Sequence, residues 1–319
     1  GRPAVATATS YAQYLLTEKM GVLVGFRNPG AITRALDELL ADEKRRARMG
    51  MEAYEATRKM TWPNVAAAYY KLYQKFADIG AEEKKLPDVK FDHVMRLTDS
   101  FGMVHHARYA KPERRFGYSL DDNARALVVA AGHYRETRKP ELLALVQKYL
   151  DFLKFAQKRN GGFARIVNAQ RERDLVHDED VTGRGVWALG YLLSQEFPSA
   201  LMRRQAEGMF SRALPLAARL EAPRAIAFAM TGLYYYLQYA PRARIFRVFT
   251  KLADRQLAFY RASASDDWQW FEDRLTYSNS KLPESLYYAY ALTRDRRYLD
   301  VAERTLKILS AITFEKKYY

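Results

Sequence analysis

The stretch Asp266-Asp267-Trp268-Gln269-Trp270-Phe271-Glu272-Asp273-Arg274-Leu275-Thr276-Tyr277-Ser278-Asn279 sets Trp268, Trp270 and Phe271 beside four carboxylates. It lacks helical spacing and stands just before an apolar run, Ser285 to Leu292, that reads as a helix. Aromatic faces offer apolar area to the C–H faces of a sugar ring, and carboxylates or an amide fix hydroxyls or move protons. The competing reading is a loop whose Trp268, Trp270 and Phe271 plug a helical domain while its acids are solvated.

Two further clusters share this chemistry. Tyr118, Asp121, Asp122, Asn123 and Arg125 form one, and Glu179, Asp180 and Arg184 the other. Glycoside cleavage needs one carboxylic acid to protonate the leaving oxygen and a second carboxylate to activate water or attack the anomeric carbon. In that reading Glu272 is the proton donor, because Trp268, Trp270 and Phe271 would desolvate it, and Asp122 or Glu179 is the base or nucleophile. Tyr118, Asp121, Asn123, Arg125, Asp180, Arg184, Trp268, Trp270, Asp273, Tyr277 and Asn279 are then the substrate-binding candidates. An epimerase would instead want a histidine pair across the sugar, for which His177 and His105-His106 are available. A glycan-binding module would need the aromatics and hydrogen-bonding groups alone. Each acidic set also lies where helix capping and dipole effects favour Asp and Asn, and Arg125 and Arg184 would pair with such acids with or without a ligand.

These clusters need elements to gather them. From about residue 88 the sequence reads as helices over 91–98, 123–138, 142–157, 181–195, 200–220, 225–239, 242–260, 282–292 and 298–312, with no convincing strand pattern. After the first, they alternate between sparsely charged helices rich in Ala, Gly, Leu and Tyr and helices charged on one face. Uncharged helices belong inside and amphipathic ones outside, which predicts hairpins of an inner and an outer helix in an α/α toroid. Four hairpins fall short of a full ring of six, so the ring is partial or is closed by N-terminal helices. The loops entering the inner helices would meet at one mouth, bringing the three clusters together.

Residues 1–77 differ. Strands at 2–7 and 20–24, a short helix capped by Ser10, a helix begun by Asn28-Pro29, and helices over 43–57 and 62–76 make half of an α/β layer. Two parallel strands neither bury both faces nor satisfy their edges, so a piece of a longer polypeptide is expected. Residues 78–90 are polar, contain Gly and Pro, and read as a linker to a domain over 91–319.

At 319 residues and 49% hydrophobic the chain has room for one large or two smaller packed domains. It shows no run long enough to span a membrane and no export signal. With no cysteine there are no disulfides or thiolate metal sites, which suits a reducing cytoplasm. Among five histidines the close pair His105-His106 is adjacent in sequence and does not face one metal from a helix, so neither a metal nor another cofactor is expected. The net charge of +15 invites an anionic partner. Yet Lys44-Arg45-Arg46 with Arg48, Lys111 to Arg115, and Arg242 to Arg247 lie on different elements. No nucleic-acid motif is visible, so nucleic acid is not the expected ligand.

Two resemblances add to this. Gly1-Arg2-Pro3-Ala4-Val5-Ala6-Thr7, Gly21-Val22-Leu23-Val24, Asn28-Pro29, Arg48-Met49-Gly50 and Thr61-Trp62-Pro63-Asn64-Val65-Ala66 resemble the closing segment of family 4 retaining glycosyltransferases of the GT-B fold. That implies a missing N-terminal glycosyltransferase portion, with the donor-holding Glu-rich motif upstream. Leu97-Thr98-Asp99, Gly117 to Leu127, Glu179-Asp180 with Gly183-Arg184, Trp187 to Gly190, and Trp270-Phe271-Glu272 with Tyr277 and Asn279 resemble the domain fused behind bacterial family 4 glycosyltransferases. Such domains are similar to α/α-toroid glycosidases and sugar epimerases, which implies an oligosaccharide or polysaccharide ligand but no particular reaction.

Overall fold

A computed structural model describes residues 2–76 and 89–314; of the expected linker only Val89 and Lys90 fall among them. The chain divides into two compact units, Gly1–Asp88 and Val89–Tyr319.

In unit 1, β1 (Ala4–Thr7) pairs in parallel with β2 (Gly21–Val24), Ala4 opposite Gly21 and Thr7 opposite Val24. Between them lies α1 (Ser10–Leu15), and after them α2 (Pro29–Ala41), α3 (Glu43–Thr57) and α4 (Trp62–Phe76). The cap of α1 is Thr9, whose hydroxyl accepts from the Ala12 N–H, and not Ser10 as the sequence led us to expect. Asn28 caps α2 and Asp42 caps α3 through the same kind of side-chain acceptor. A small core of Met20, Val24, Ala35, Leu39 and Met49 joins the strands to the helices.

Unit 2 begins with α5 (Asp92–Leu97) and two antiparallel pairs of two-residue strands. These are β3 (Ala107–Arg108) with β4 (Lys111–Pro112), and β5 (Tyr118–Ser119) with β6 (Ile166–Val167). Two residues cannot display a period of two, which is why no strand was legible here. Four helical hairpins carry the rest: α6 (Leu120–Thr137) with α7 (Pro140–Ala156), α8 (Glu179–Ser194) with α9 (Ala200–Ala217), α10 (Pro223–Tyr239) with α11 (Ala243–Ser263), and α12 (Lys281–Thr293) with α13 (Arg296–Thr313). The even-numbered helices pack on one another in the order α6, α8, α10, α12, and each is backed by the helix that follows it. No comparable packing among the described residues returns α12 to α6, so the hairpins of unit 2 form an open arc.

The alternation of composition has this arc as its cause. Helix α10 buries Ala225 to Leu233 without interruption, whereas α11 and α13 bury one stripe and turn Arg and Asp outward. Between the layers lie Leu127, Leu150, Leu153, Leu189, Phe210, Phe249, Leu252 and Leu286, all fully buried. Each contributes about 1.5–3 kcal/mol relative to an exposed side chain.

The tightest joint is α8 on α10. A Cβ on Gly190 would lie 2.0 Å from the Gly232 carbonyl oxygen, and one on Gly232 would lie 2.2 Å from that of Val186. Backbones this close leave no room for a methyl group on either helix. Gly190→Ala therefore lowers the stability of unit 2 by about 1–3 kcal/mol through overpacking, although alanine is the better helix former. Urea denaturation followed by tryptophan fluorescence reads this, since Trp187, Trp268 and Trp270 lie in unit 2; an unchanged or raised midpoint would contradict the close approach.

Candidate functional site

The three clusters meet at the N-terminal ends of the inner helices. The acids of the first two clusters sit inside the first turns and not ahead of them, because the caps are Ser119 for α6 and Asp178 for α8, whereas Glu272 and Asp273 lie in the loop before α12. The Ser119 hydroxyl accepts from the Asp122 N–H at 3.0 Å and donates to Asp122 Oδ2 at 2.6 Å. The antiparallel pair of β5 and β6 draws the 157–174 segment against this helix start. At their junction Gly117 has φ 70°, and a Cβ there would meet the Val167 carbonyl at 2.2 Å, so no other residue fits.

A chain of charge runs from one cluster to the next. His105 Nδ1 lies 2.8 Å from Asp122 Oδ2, and Arg125 Nη2 donates to both Asp122 Oδ1 at 2.9 Å and Asp121 Oδ2 at 3.0 Å. Arg184 links Asp121 Oδ1 at 2.8 Å to Asp180 Oδ2 at 2.6 Å. Asp121 Oδ1 lies within 2.9 Å of Arg125 Nε as well, yet these contacts lack hydrogen-bond angles, so charge and not directed bonding holds that oxygen. Tyr277 donates its hydroxyl to Asp180 Oδ1 at 3.1 Å. Beneath the Tyr277 ring, at 4.8 Å, lies the Arg224 guanidinium, which donates to Glu272 Oε2 at 2.5 Å, to Asn279 Oδ1 at 2.9 Å and to the Tyr277 carbonyl.

Burial sets the electrostatics. It pushes the Asp121 carboxyl above the ordinary aspartate range, opposed by Arg184 and Arg125 and abetted by the neighbouring Asp122 and Asp180. The Tyr277 hydroxyl is pushed up to about 12 by burial and by the Asp180 charge. Between α6 and α8 a cleft of 390 Å³ is lined by His105, Ser119, Asp121, Arg165, Asp178 and Asp180. Tyr277, 50% exposed, is joined to this cleft through Asp180.

Several expected site residues are placed elsewhere. Trp270 is completely buried, as is Phe271, and the half-buried Trp268 donates its indole N–H to the Glu272 carbonyl at 2.6 Å. The two tryptophans thus follow the plug reading and offer no sugar platform. Glu272 faces Arg224 instead of their rings, so the apolar surroundings expected of a proton donor are absent. Glu179 accepts the Glu221 and Ala222 N–H groups at 2.7 Å each and orders the turn before α10. Asn123 is fully buried and pins the Met103 backbone through both ends of its amide. Tyr118 is buried with its hydroxyl on Asp99 at 2.7 Å, and Asp273 is exposed beside Arg274.

Arg224 was missed by sequence reasoning. Its signal is that it is the lone charged residue of α10, on an otherwise apolar helix, and it is buried. His105 was considered only within the histidine-pair reading; His177 lies apart, on a smaller cavity with Lys158, Asn160 and Leu175. Among the described residues no group of three or more His, Cys, Asp or Glu is arranged to hold a metal ion, and no helix is long and apolar enough to cross a membrane.

No family model and no curated protein matches the chain in sequence. A solved D-mannose isomerase matches with TM-score 0.55 at 12% identity, over 70% of this chain and 70% of that one. Unit 2 is an α/α toroid. Cellobiose 2-epimerases from Bacillus thermoamylovorans and Spirochaeta thermophila align at TM-score 0.46 with 9% and 12% identity, over 71% and 69% of this chain and 85% and 81% of theirs. At these identities the likeness is one of fold, and the toroid's mouth has to be read from its own residues.

Asp99 holds the Tyr118 hydroxyl and the turn at Phe101 and Gly102, just ahead of the Ser119 cap. Burial alone would raise its carboxyl, but the Phe101 N–H, the Tyr118 hydroxyl, the Gly102 N–H and the Arg114 charge hold it below the ordinary aspartate value. An acid depressed in the fold contributes stability above its unfolded value and loses it as pH falls through the folded one. Asp99→Asn should therefore cost about 1–3 kcal/mol at neutral pH, with the gap to the parent closing below about pH 4. Urea midpoints across pH 2 to 7 check this (a range bracketing the usual aspartate value); a gap that does not vary with pH would leave the charge without a role.

Proposed function

We propose that the mouth of unit 2 binds a saccharide, with Tyr277 as its platform and Asp121 and Asp180, held in place by Arg184, as its hydroxyl-fixing groups. The observation that carries this is the half-exposed Tyr277 ring, backed by Arg224 and tied through its hydroxyl to Asp180, beside the 390 Å³ cleft. A rigid aromatic face next to fixed acceptors and donors is what a pyranose ring requires of a site, because its C–H faces are apolar and its edge is all hydroxyl. The D-mannose isomerase that shares the fold is in keeping with a sugar ligand.

Hydrolysis by paired carboxylates has less support. Asp121, Asp122, Asp180 and Glu272 are each engaged by a guanidinium, and Glu179 by backbone N–H groups. A saccharide-recognising module, acting on the acceptor or product of an attached glycosyltransferase, therefore stands ahead of a hydrolase. For residues 1–77 we retain the reading as part of a family 4 glycosyltransferase, joined through 78–90 to the toroid.

A second reading rests on His105. Its Nδ1 is oriented by Asp122 while the ring, 45% exposed, lines the cleft. An imidazole held by a carboxylate with its other nitrogen toward a ligand is suited to moving a proton on the sugar.

Titration of the full chain with mannose- and glucose-containing oligosaccharides, followed by calorimetry, tests the proposal. Binding should be lost in Tyr277→Ala by at least about tenfold, the worth of a stacked ring, and largely kept in Tyr277→Phe. Equal affinities for all three proteins would sink the platform. Product analysis of the same mixtures separates the alternatives. Turnover that falls about a hundredfold or more in Glu272→Gln would restore the hydrolase, and turnover that falls so in His105→Gln would favour proton transfer on the sugar.

A further inference from the structure

Beside the mouth the β3–β4 hairpin and the last turn of α5 line an open concavity of 690 Å³, with Arg96, Arg108, Tyr109, Lys111, Pro112 and Glu113 on its wall. Arg108 and Lys111 stand directly opposite each other in the hairpin register, and Arg96 faces them from α5. Like charges placed opposite across a strand pair disfavour the hairpin. Among the described residues, neither Arg96, Arg108 nor Lys111 has an acid within ion-pair distance, and the one lining acid, Glu113, is paired with Arg115. Three uncompensated cations around one concavity make a site for an anion.

The cavity is also continuous with the mouth along the chain. The hairpin grows from His105-His106, whose backbone is fixed by His105 N–H to Gly117 O at 2.8 Å and Glu113 N–H to His106 O at 2.8 Å. His105 itself lines the mouth cleft. Arg108 is three positions after His105, so their Cα atoms are at most about 11 Å apart and the two sites can be reached by adjoining units of one saccharide. Tyr109, at the hairpin tip and 93% exposed, offers an aromatic face on the way.

We infer that the saccharide recognised by this protein is anionic: one unit sits in the mouth while a carboxylate or phosphate substituent on a neighbouring unit is held by Arg96, Arg108 and Lys111. The inference rests on the saccharide reading of the mouth and adds the charge of the ligand and the residues that read it. Arginine offers the fork that matches either oxyanion, and lysine adds a point charge.

The test uses the full chain and two pairs of probes: a glucuronate-containing oligosaccharide and its carboxyl-reduced form, and a phosphorylated oligomannose and its dephosphorylated form. Affinities are measured by calorimetry at low and at physiological salt. The parent should prefer the anionic member of at least one pair by about tenfold, with the preference shrinking as salt rises, and the preferred pair tells carboxylate from phosphate. Arg108→Gln/Lys111→Gln should erase the preference while leaving affinity for the neutral member unchanged, and Arg108→Glu/Lys111→Glu should reverse it. Equal affinity for both members in the parent, or no binding of either anionic probe, overturns the inference. So does a preference that survives both double variants. Tyr277→Ala separates this from failure of the mouth. Anionic binding that persists in Tyr277→Ala with its salt dependence intact would remove the mouth as the sugar site while keeping the basic cavity. Binding of neutral probes that is lost in Tyr277→Ala, without any preference for anions, would do the opposite.

Discussion

The buried guanidinium of Arg184 is the constraint on which the mouth depends. Its side chain is 6% exposed, with Phe228 packed at 4.0 Å beneath it and Asp121 and Asp180 on its rim. A charge so far from water is tolerated only when paired on several sides, and removing a partner leaves the cost of the other uncompensated. Asp121 comes from α6 and Phe228 from α10, so one side chain of α8 requires both neighbours to be in register. That register is available because Gly190 and Gly232 let α8 and α10 approach until their backbones touch.

From Arg184 the same logic spreads outward. Each mouth acid shares a guanidinium with another group: Asp121 and Asp122 share Arg125, Asp121 and Asp180 share Arg184, and Glu272 and Asn279 share Arg224. Such a network fixes acceptor positions before a ligand arrives, which reduces the ordering cost of binding. The carboxylates are thus oriented and engaged, and the apolar surroundings that would keep Glu272 protonated are given over to the core.

The aromatics divide accordingly. Trp270 and Phe271 fill the space beneath the loop before α12, where their area is most valuable to stability. Tyr277, a few residues on, is left at the rim with one face on Arg224. Along the inner helices, Tyr191 meets Tyr235 at 5.0 Å and Tyr234 stacks on Tyr288 at 4.2 Å, so that α8, α10 and α12 are joined by half-buried rings. The loop's polar and apolar residues therefore serve different surfaces.

The amino-acid sequence by itself determined the helices, their inner and outer alternation and hence the toroid, because burial on all sides or on one stripe dictates composition residue by residue. It also determined that acids and arginines cluster at the starts of the inner helices, since caps and first turns are local. Only the tertiary structure decided which of them face the mouth and which turn inward. Whether Trp270 is a platform or a plug, whether Glu179 holds a sugar or the turn at Glu221, and whether Asn123 meets solvent depend on neighbours tens of residues away, and a side chain's type is the same in either place. Arg224 shows the reverse: a lone charge on an apolar helix is visible in sequence, but its partners Glu272 and Asn279 lie 48 and 55 residues on and become neighbours only when α12 packs on α10.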